Sequence, residues 1–270
     1  MTRIVLPEWT ESKTDPPSDL EIVRDVEYGR GGGHALTLDI LRPATRPIGL
    51  MPAIIGIHGS GWTKGTRDWC LETLLHFATR GYFTMAITHR FSGEAPFPSM
   101  IHDCNCAVRY LRAHANQYHV DSHRIGVWGF SSGGHLATLI GTAWHVNELQ
   151  GDGGWPEQST RVAAVCDWYG PTAWLPKDLL GLDLTSDEKT EDSVANPVKH
   201  IRPGEAPPFL IMHGDKDEQV TLESSEILYN TLLDSGIEAT LVVAEGAGHS
   251  LVRYDIHSLM LKFFDRHLKR

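Results

Sequence analysis

Gly129-Phe130-Ser131-Ser132-Gly133 places a serine where its hydroxyl could act as a nucleophile. The residues before it, Arg124-Ile125-Gly126-Val127-Trp128, read as a short buried strand preceded by the turn-like Val120–His123. Those after it, Gly134-His135-Leu136-Ala137-Thr138-Leu139-Ile140, read as the first turns of a packed helix. A serine between such a strand and such a helix occupies a sharp, strained turn that lifts its Oγ clear of the sheet edge. Glycine on both flanks removes Cβ atoms that would clash as the helix folds back over the strand. Ser132 would then offer its backbone N–H to a developing oxyanion. Chance produces such a pentapeptide in a chain of this length roughly one time in ten, so the reading needs partners.

A serine hydroxyl is a weak nucleophile at neutral pH; it needs a base, and the base needs an orienting acid. Among 15 histidines, His249 has the fitting context. It follows the strand-like Ala239–Ala244 in the glycine-bearing loop Glu245–Ser250 and precedes the last helix. The acid should leave the preceding strand, Pro208–Met212, whose exit is His213-Gly214-Asp215-Lys216-Asp217-Glu218. Three acids compete there. Asp217 has the reach to meet an imidazole, Asp215 is close enough to the strand end to fix the loop through backbone N–H groups, and Glu218 is the third. A second oxyanion donor should come from His58-Gly59-Ser60-Gly61-Trp62 after the strand-like Ala53–Ile57, with Ser60 and Gly61 as the candidates.

Strand and helix patterns alternate along most of the chain. Glu21–Tyr28 and Ala35–Leu41 form an apparent hairpin around Gly31–Gly33, and Tyr82–Thr88 and Val162–Asp167 add strands. Trp69–Arg80, Met100–Tyr118, Leu222–Ser235 and Tyr254–Lys269 carry helical spacing. The alternation implies a mostly parallel sheet covered on both faces, with ligands collecting at the carboxyl ends of its strands. Residues 1–19 read as an extended arm and 20–270 as the folded domain. The acidic stretch 171–200 reads as a small cap-like insertion over that edge.

At 270 residues the chain suits a single α/β sheet. Its net charge of −10, without a basic cluster, argues against binding nucleic acid through phosphates. Cys70, Cys104, Cys106 and Cys166 are too few and too irregular for a disulfide scaffold or a metal site, and read as buried small residues. Met1–Glu8 lacks the apolar core of a signal peptide, and no apolar run is long enough to span a membrane. These features read as soluble and cytoplasmic, or secreted or periplasmic if a leader had been removed.

At these residues the chain resembles the α/β-hydrolase esterases with a His-Gly-Gly-x-Trp oxyanion loop, most of all the BD-FAE-like feruloyl and acetylxylan esterases. The resemblance covers residues 20–268 and includes His89–Pro98, Ile101–Cys104, Asp167–Thr172 and Asn196-Pro197-Val198. It implies an α/β-hydrolase fold and a serine carboxylesterase acting on short-chain or small aryl or carbohydrate esters. Ser131 would be its nucleophile, Asp217 its acid, His249 its base, and Ser60, Gly61 and Ser132 its oxyanion donors. The family usually has glycine where Ser60 stands. No metal or organic cofactor is implied, and the partner is a small-molecule ester. Trp62, Phe91, Phe97, Trp168, Tyr169 and Trp174 would line the pocket, with Glu94 facing it. The alternative activities are an arylformamidase or an acetylxylan or feruloyl esterase, and a hydrolase fold that binds without turnover is a remote one.

Overall fold

A computed structural model describes residues 2–4, 19–172, 175, 194–251 and 255–269. Its nine strands form one sheet: β1 Thr2–Ile4, β2 Leu20–Gly31, β3 His34–Pro43, β4 Met51–Ile57, β5 Phe83–Ile87, β6 Val120–Phe130, β7 Ala164–Trp168, β8 Phe209–Gly214 and β9 Ala239–Ala244. The spatial order is β1-β9-β8-β7-β6-β4-β5-β3-β2. From β1 to β5 neighbours run parallel, and the β2–β3 hairpin closes the far edge antiparallel. The strands β4, β7 and β8 are buried at every residue, which explains why, Asp167 and His213 apart, they are apolar throughout: parallel strands covered on both faces have no solvent side to alternate toward.

Two separate cores flank the sheet. One packs α2 (Ser99–Ala113), α4 (Ser132–Thr142) and α5 (Leu222–Asp234) on one face. The other packs α1 (Leu71–Ala78) and α6 (His257–Leu268) through Leu74, Phe77, Met260, Phe264 and Leu268. All four cysteines are free and buried in these cores. Among the described residues, no helix is long and apolar enough to cross a membrane.

Several boundaries differ from the sequence expectation. The Met100–Tyr118 helix is broken at His114, whose ring Nδ1 meets the Tyr110 carbonyl, leaving a short α3 at Ala115–Tyr118. Val120–His123 is part of β6, yet its turn chemistry survives as a register shift: Met51 pairs with Val120 and Ala53 already with Ile125, while Asp121 binds the His123 N–H. The Trp69–Arg80 helix opens as a 3₁₀ turn at Arg67–Cys70, with Thr66 accepting from the Asp68 N–H. The N-terminal arm contributes a strand, because Thr2–Ile4 pairs in parallel with the open edge of β9; residues 5–18 lie outside the described residues. So does most of the 171–200 insertion. Its described end runs through a turn at Val194–Ala195 into a 3₁₀ turn, Pro197–His200, capped by Asn196.

This topology sets the place for a site. After β4 the chain goes to β5 on one side and then returns to β6 on the other side of β4. Strand order therefore reverses between β4 and β6, and a crevice opens beyond their carboxyl ends. The exits of β4 and β6 meet there, with those of β8 and β9 farther along the same edge.

Candidate active site

Ser131 leaves β6 at φ 54° and ψ −126°, outside the regions an L residue favours, and its N–H donates to the Trp168 carbonyl of neighbouring β7 at 2.9 Å. The turn is tight because α4 starts immediately and passes back over the sheet. A Cβ on Gly129 would lie 2.2 Å from the Gly133 carbonyl oxygen, and one on Gly133 would lie 2.2 Å from that of Ile57. Both flanking glycines are required by backbone contact, as their spacing suggests. Ser132 is the first residue of α4, so its N–H is among those left unpaired at a helix N-terminus, where negative charge is favoured.

His249 Nε2 lies 2.9 Å from Ser131 Oγ, and His249 Nδ1 lies 2.7 Å from Asp217 Oδ2. Of the three competing acids, Asp217 is thus the one brought to the imidazole. Its side chain is fully buried. Oδ1 accepts from the N–H groups of Gln219 and Val220, both at 2.9 Å. Burial alone would raise the Asp217 pKa; hydrogen bonds from His213, His249 and these two N–H groups outweigh it and hold the carboxyl well below the usual carboxylate range. Asp215 takes the loop-fixing role: its Oδ1 accepts from the Gly246 N–H at 2.7 Å, which ties the β8 exit to the β9 exit. Tyr169, at φ 41°, lays its ring 4.7 Å from that of His249.

Ser60, Gly61 and Trp62 border the same cavity as Ser131, Ser132 and His249. Its volume is about 1130 Å³, and Trp168, Tyr169, Thr73 of α1 and His257 of α6 also line it. Thr73 Oγ1 and His257 Nε2 are 3.0 Å apart. Three expected pocket residues are not part of its lining. Phe91 packs against the rings of His58 and His89, at 5.9 and 5.7 Å. Glu94 folds back to accept from the Phe91 N–H at 2.8 Å, capping its own turn. Phe97 is packed in the core beside α2. Trp174 lies outside the described residues.

Sequence reasoning missed four contributors. His213, the penultimate residue of β8, is buried behind Asp217, with Nε2 at 2.9 Å from the Val220 carbonyl and 3.3 Å from Asp217 Oδ2. Facing two acceptors, that nitrogen carries a hydrogen. A histidine inside an otherwise apolar strand was the available signal. Trp69, half exposed, and Glu72 line the cavity mouth from the start of α1, where no motif marks them. Asp167, at the end of β7, is buried under the nucleophile turn, with Oδ1 accepting from the Gly170 N–H at 3.0 Å and Oδ2 unpartnered. Burial pushes its pKa up to about 7, against the opposing pull of His213 and the Gly170 N–H.

Residues 38–232 match the BD-FAE family model. The chain is 32% identical over 216 residues to the probable carboxylic ester hydrolase LipM of Mycobacterium tuberculosis, a match covering 74% of this chain and 49% of LipM. The chain spans about half the length of the curated relatives it matches. Among solved structures, it superposes on a truncated carbohydrate esterase from gut microbiota with a TM-score of 0.82 and 26% identity, covering 95% of this chain and all of that one. It also superposes on the propionate-bound thermophilic esterase Est2 of the Planctomycetes species Thermogutta terrifontis, with a TM-score of 0.79 and 25% identity, over 92% of this chain and 94% of that one. The architecture is the α/β-hydrolase fold.

Two outcomes follow from the site's electrostatics. Asp217→Asn leaves an amide beside His249 that favours the wrong imidazole tautomer, and turnover of an activated ester should fall by about 10⁴-fold. Asp215→Asn should cost less than about tenfold, since its partner is a backbone N–H, and steady-state kinetics of both variants checks the contrast. Asp167 holds its proton in the fold up to about pH 7, whereas an unfolded carboxyl releases it near 4. Its contribution is therefore full below about pH 4 and is lost as pH rises through 7. From pH 5 to pH 8 the wild type should lose roughly 2–3 kcal/mol more unfolding free energy than Asp167→Asn, measured by urea melts.

Proposed function

The chain belongs to the BD-FAE family, and from that footing we propose that it is a serine carboxylesterase for short-chain or small aryl or carbohydrate esters. The observation that carries the proposal is the continuous hydrogen-bond path from Ser131 Oγ through His249 to Asp217 at the mouth of a cavity. In the reaction, His249 Nε2 takes the Ser131 proton as Oγ attacks the ester carbonyl, while Asp217 steadies the imidazolium. The tetrahedral oxyanion forms against the Ser132 N–H and those of the 60–61 backbone, each such donor being worth on the order of 3 kcal/mol of barrier. His249 then protonates the departing alcohol. Water, deprotonated in turn by His249, attacks the acyl-enzyme and releases the acid.

The cavity lining supports a neutral substrate. Asp68, Glu72 and Glu223 line it, and no lysine or arginine does so among the described residues. Asp68 is offset by Arg24 at 2.8 Å, which leaves Glu72 and Glu223 to set the sign of the field. The cavity is also much larger than an acetyl group needs, which favours aryl or sugar groups on one side of the ester. The carbohydrate esterase and the propionate-bound esterase among its structural neighbours accord with this reading.

Ser131→Ala should lower turnover of p-nitrophenyl acetate by about 10⁴-fold or more and abolish labelling by a fluorophosphonate probe. Full activity in that variant would overturn the assignment. At equal chain length, a p-nitrophenyl butyrate should be cleaved with kcat/KM about tenfold above the matching hemisuccinate, a difference of ~1.4 kcal/mol. The gap should narrow as salt is raised. A hemisuccinate preference would mean that the acidic lining does not govern substrate choice.

A further inference from the structure

Ser60, Gly61 and Trp62 follow one another with φ of 111°, 63° and 59°. Two of the three are not glycine, so this backbone occupies a region that L side chains rarely adopt, and the loop does not hold itself there. Its internal bonds, from the Thr63 N–H and hydroxyl to the Ser60 carbonyl, are both long at 3.4 Å. On one side the Trp62 carbonyl accepts from the Ser92 N–H at 2.9 Å. On the other, the Trp62 side chain is buried and its indole N–H donates to His135 Nδ1 at 3.3 Å, the two rings standing 87° apart.

His135 is fully buried on the first turn of α4, and its own N–H donates to the Ser131 carbonyl at 3.1 Å. Its Nε2 lies 2.8 Å from the Ala195 carbonyl. An indole N–H can only donate and a carbonyl can only accept. Nδ1 is therefore bare and Nε2 carries the hydrogen, a single uncharged tautomer. Burial pushes the pKa down to about 4, so the ring keeps this state at neutral pH.

We propose that His135 is a positioning residue: through Trp62 it fixes the 60–62 backbone relative to Ser131, and the Ala195 carbonyl fixes its tautomer. The link joins two parts of one site by a short route. Ser131 and His135 share a helix turn, so the Trp62 bond sets the oxyanion loop against the nucleophile directly. A misplacement of about 1 Å there is enough to cost on the order of 10²-fold in rate. This role rests on the reading of Ser131 as an ester-cleaving nucleophile.

The test uses His135→Asn, His135→Gln and His135→Leu in the full chain, with kcat and KM for p-nitrophenyl butyrate. Asparagine can place an acceptor near the Nδ1 position, glutamine a donor near Nε2, and leucine neither. The Gln and Leu variants should lose kcat by roughly 10- to 100-fold with KM within about threefold, and Asn should stay within about fivefold of wild type. Trp62→Phe removes the same bond from its other end. It should lose kcat similarly, with no further loss when combined with His135→Gln. Wild-type kcat in the Gln variant, equal losses in Asn and Gln, or multiplying losses in the double variant would each overturn the role. If His135→Leu does not fold, Asn, Gln and Trp62→Phe decide. Fluorophosphonate labelling of wild type but not Ser131→Ala keeps the ester reading standing even where these variants fail; no labelling of wild type removes that reading first.

Discussion

The exits of β4 and β6 approach each other so closely that neither backbone has room for a Cβ at the crossing. One placed on Gly59 would come within 2.5 Å of the Phe130 carbonyl oxygen and 2.9 Å of Ser131 Cβ. One on Gly133 would meet the carbonyls of Ile57 and His58. The oxyanion loop, the nucleophile turn and the start of α4 are thus pressed together at backbone distance. Because interiors are packed as densely as organic crystals, none of the three can shift without displacing the others. Parallel pairing of β4 with β6 through Ile57 and Gly129 sets the level at which the two exits meet. The position of Ser131 is therefore a consequence of sheet register, and the strained backbone at the serine follows from the turn that register demands.

The loops from β8 and β9 that carry Asp217 and His249 make a second close crossing, where a Cβ on Gly214 would lie 2.2 Å from the Ala247 carbonyl oxygen. Polar contacts made under cover add to it. Asp217 uses one carboxylate oxygen to close its own loop and the other to orient His249, while Asp215 ties that loop to Gly246. The Tyr169 ring packs against the face of the imidazole. A buried carboxylate left short of partners would be costly, and Asp217 is fully supplied. Orientation of the imidazole is fixed before any substrate arrives, which is the preorganisation that makes an electrostatic site effective.

The sequence was most legible where a local backbone requirement selects residue types. Ser131, Asp217 and His249 each stand beyond a parallel strand, and the strands announce themselves by their largely apolar runs. Asp215 was legible for the same reason, as a short acid at a strand exit. Phe91 and Glu94 were misplaced because position after a strand does not fix the direction of a long loop. The Glu94 bond to the Phe91 N–H closes that segment on itself. Cavity walls drawn from helices were harder still. Thr73 and His257 are polar residues at buried positions of α1 and α6, and only the paired helices reveal that they face each other. Thr2–Ile4 has little strand signal of its own, and what places it is the unpaired edge of β9.

Backbone strain is distributed in a way that bears on catalysis. Among the described residues, seven non-glycine positions have positive φ, and four of them, Ser60, Trp62, Ser131 and Tyr169, surround the crevice. Conformations of this kind persist only where the surroundings over-determine them. Ser131 is held by the Trp168 carbonyl, Tyr169 by the Met212 carbonyl at 2.8 Å, and Trp62 by Ser92 and His135. Ser60 is held by the Thr63 N–H and hydroxyl, both reaching its carbonyl at a long 3.4 Å. Glycine would tolerate φ 111° at that position without strain. The 60–62 loop is thus anchored most firmly at Trp62, and Ser60 keeps its conformation chiefly through that anchor and through Gly59, which is pressed against the Phe130 carbonyl and Ser131.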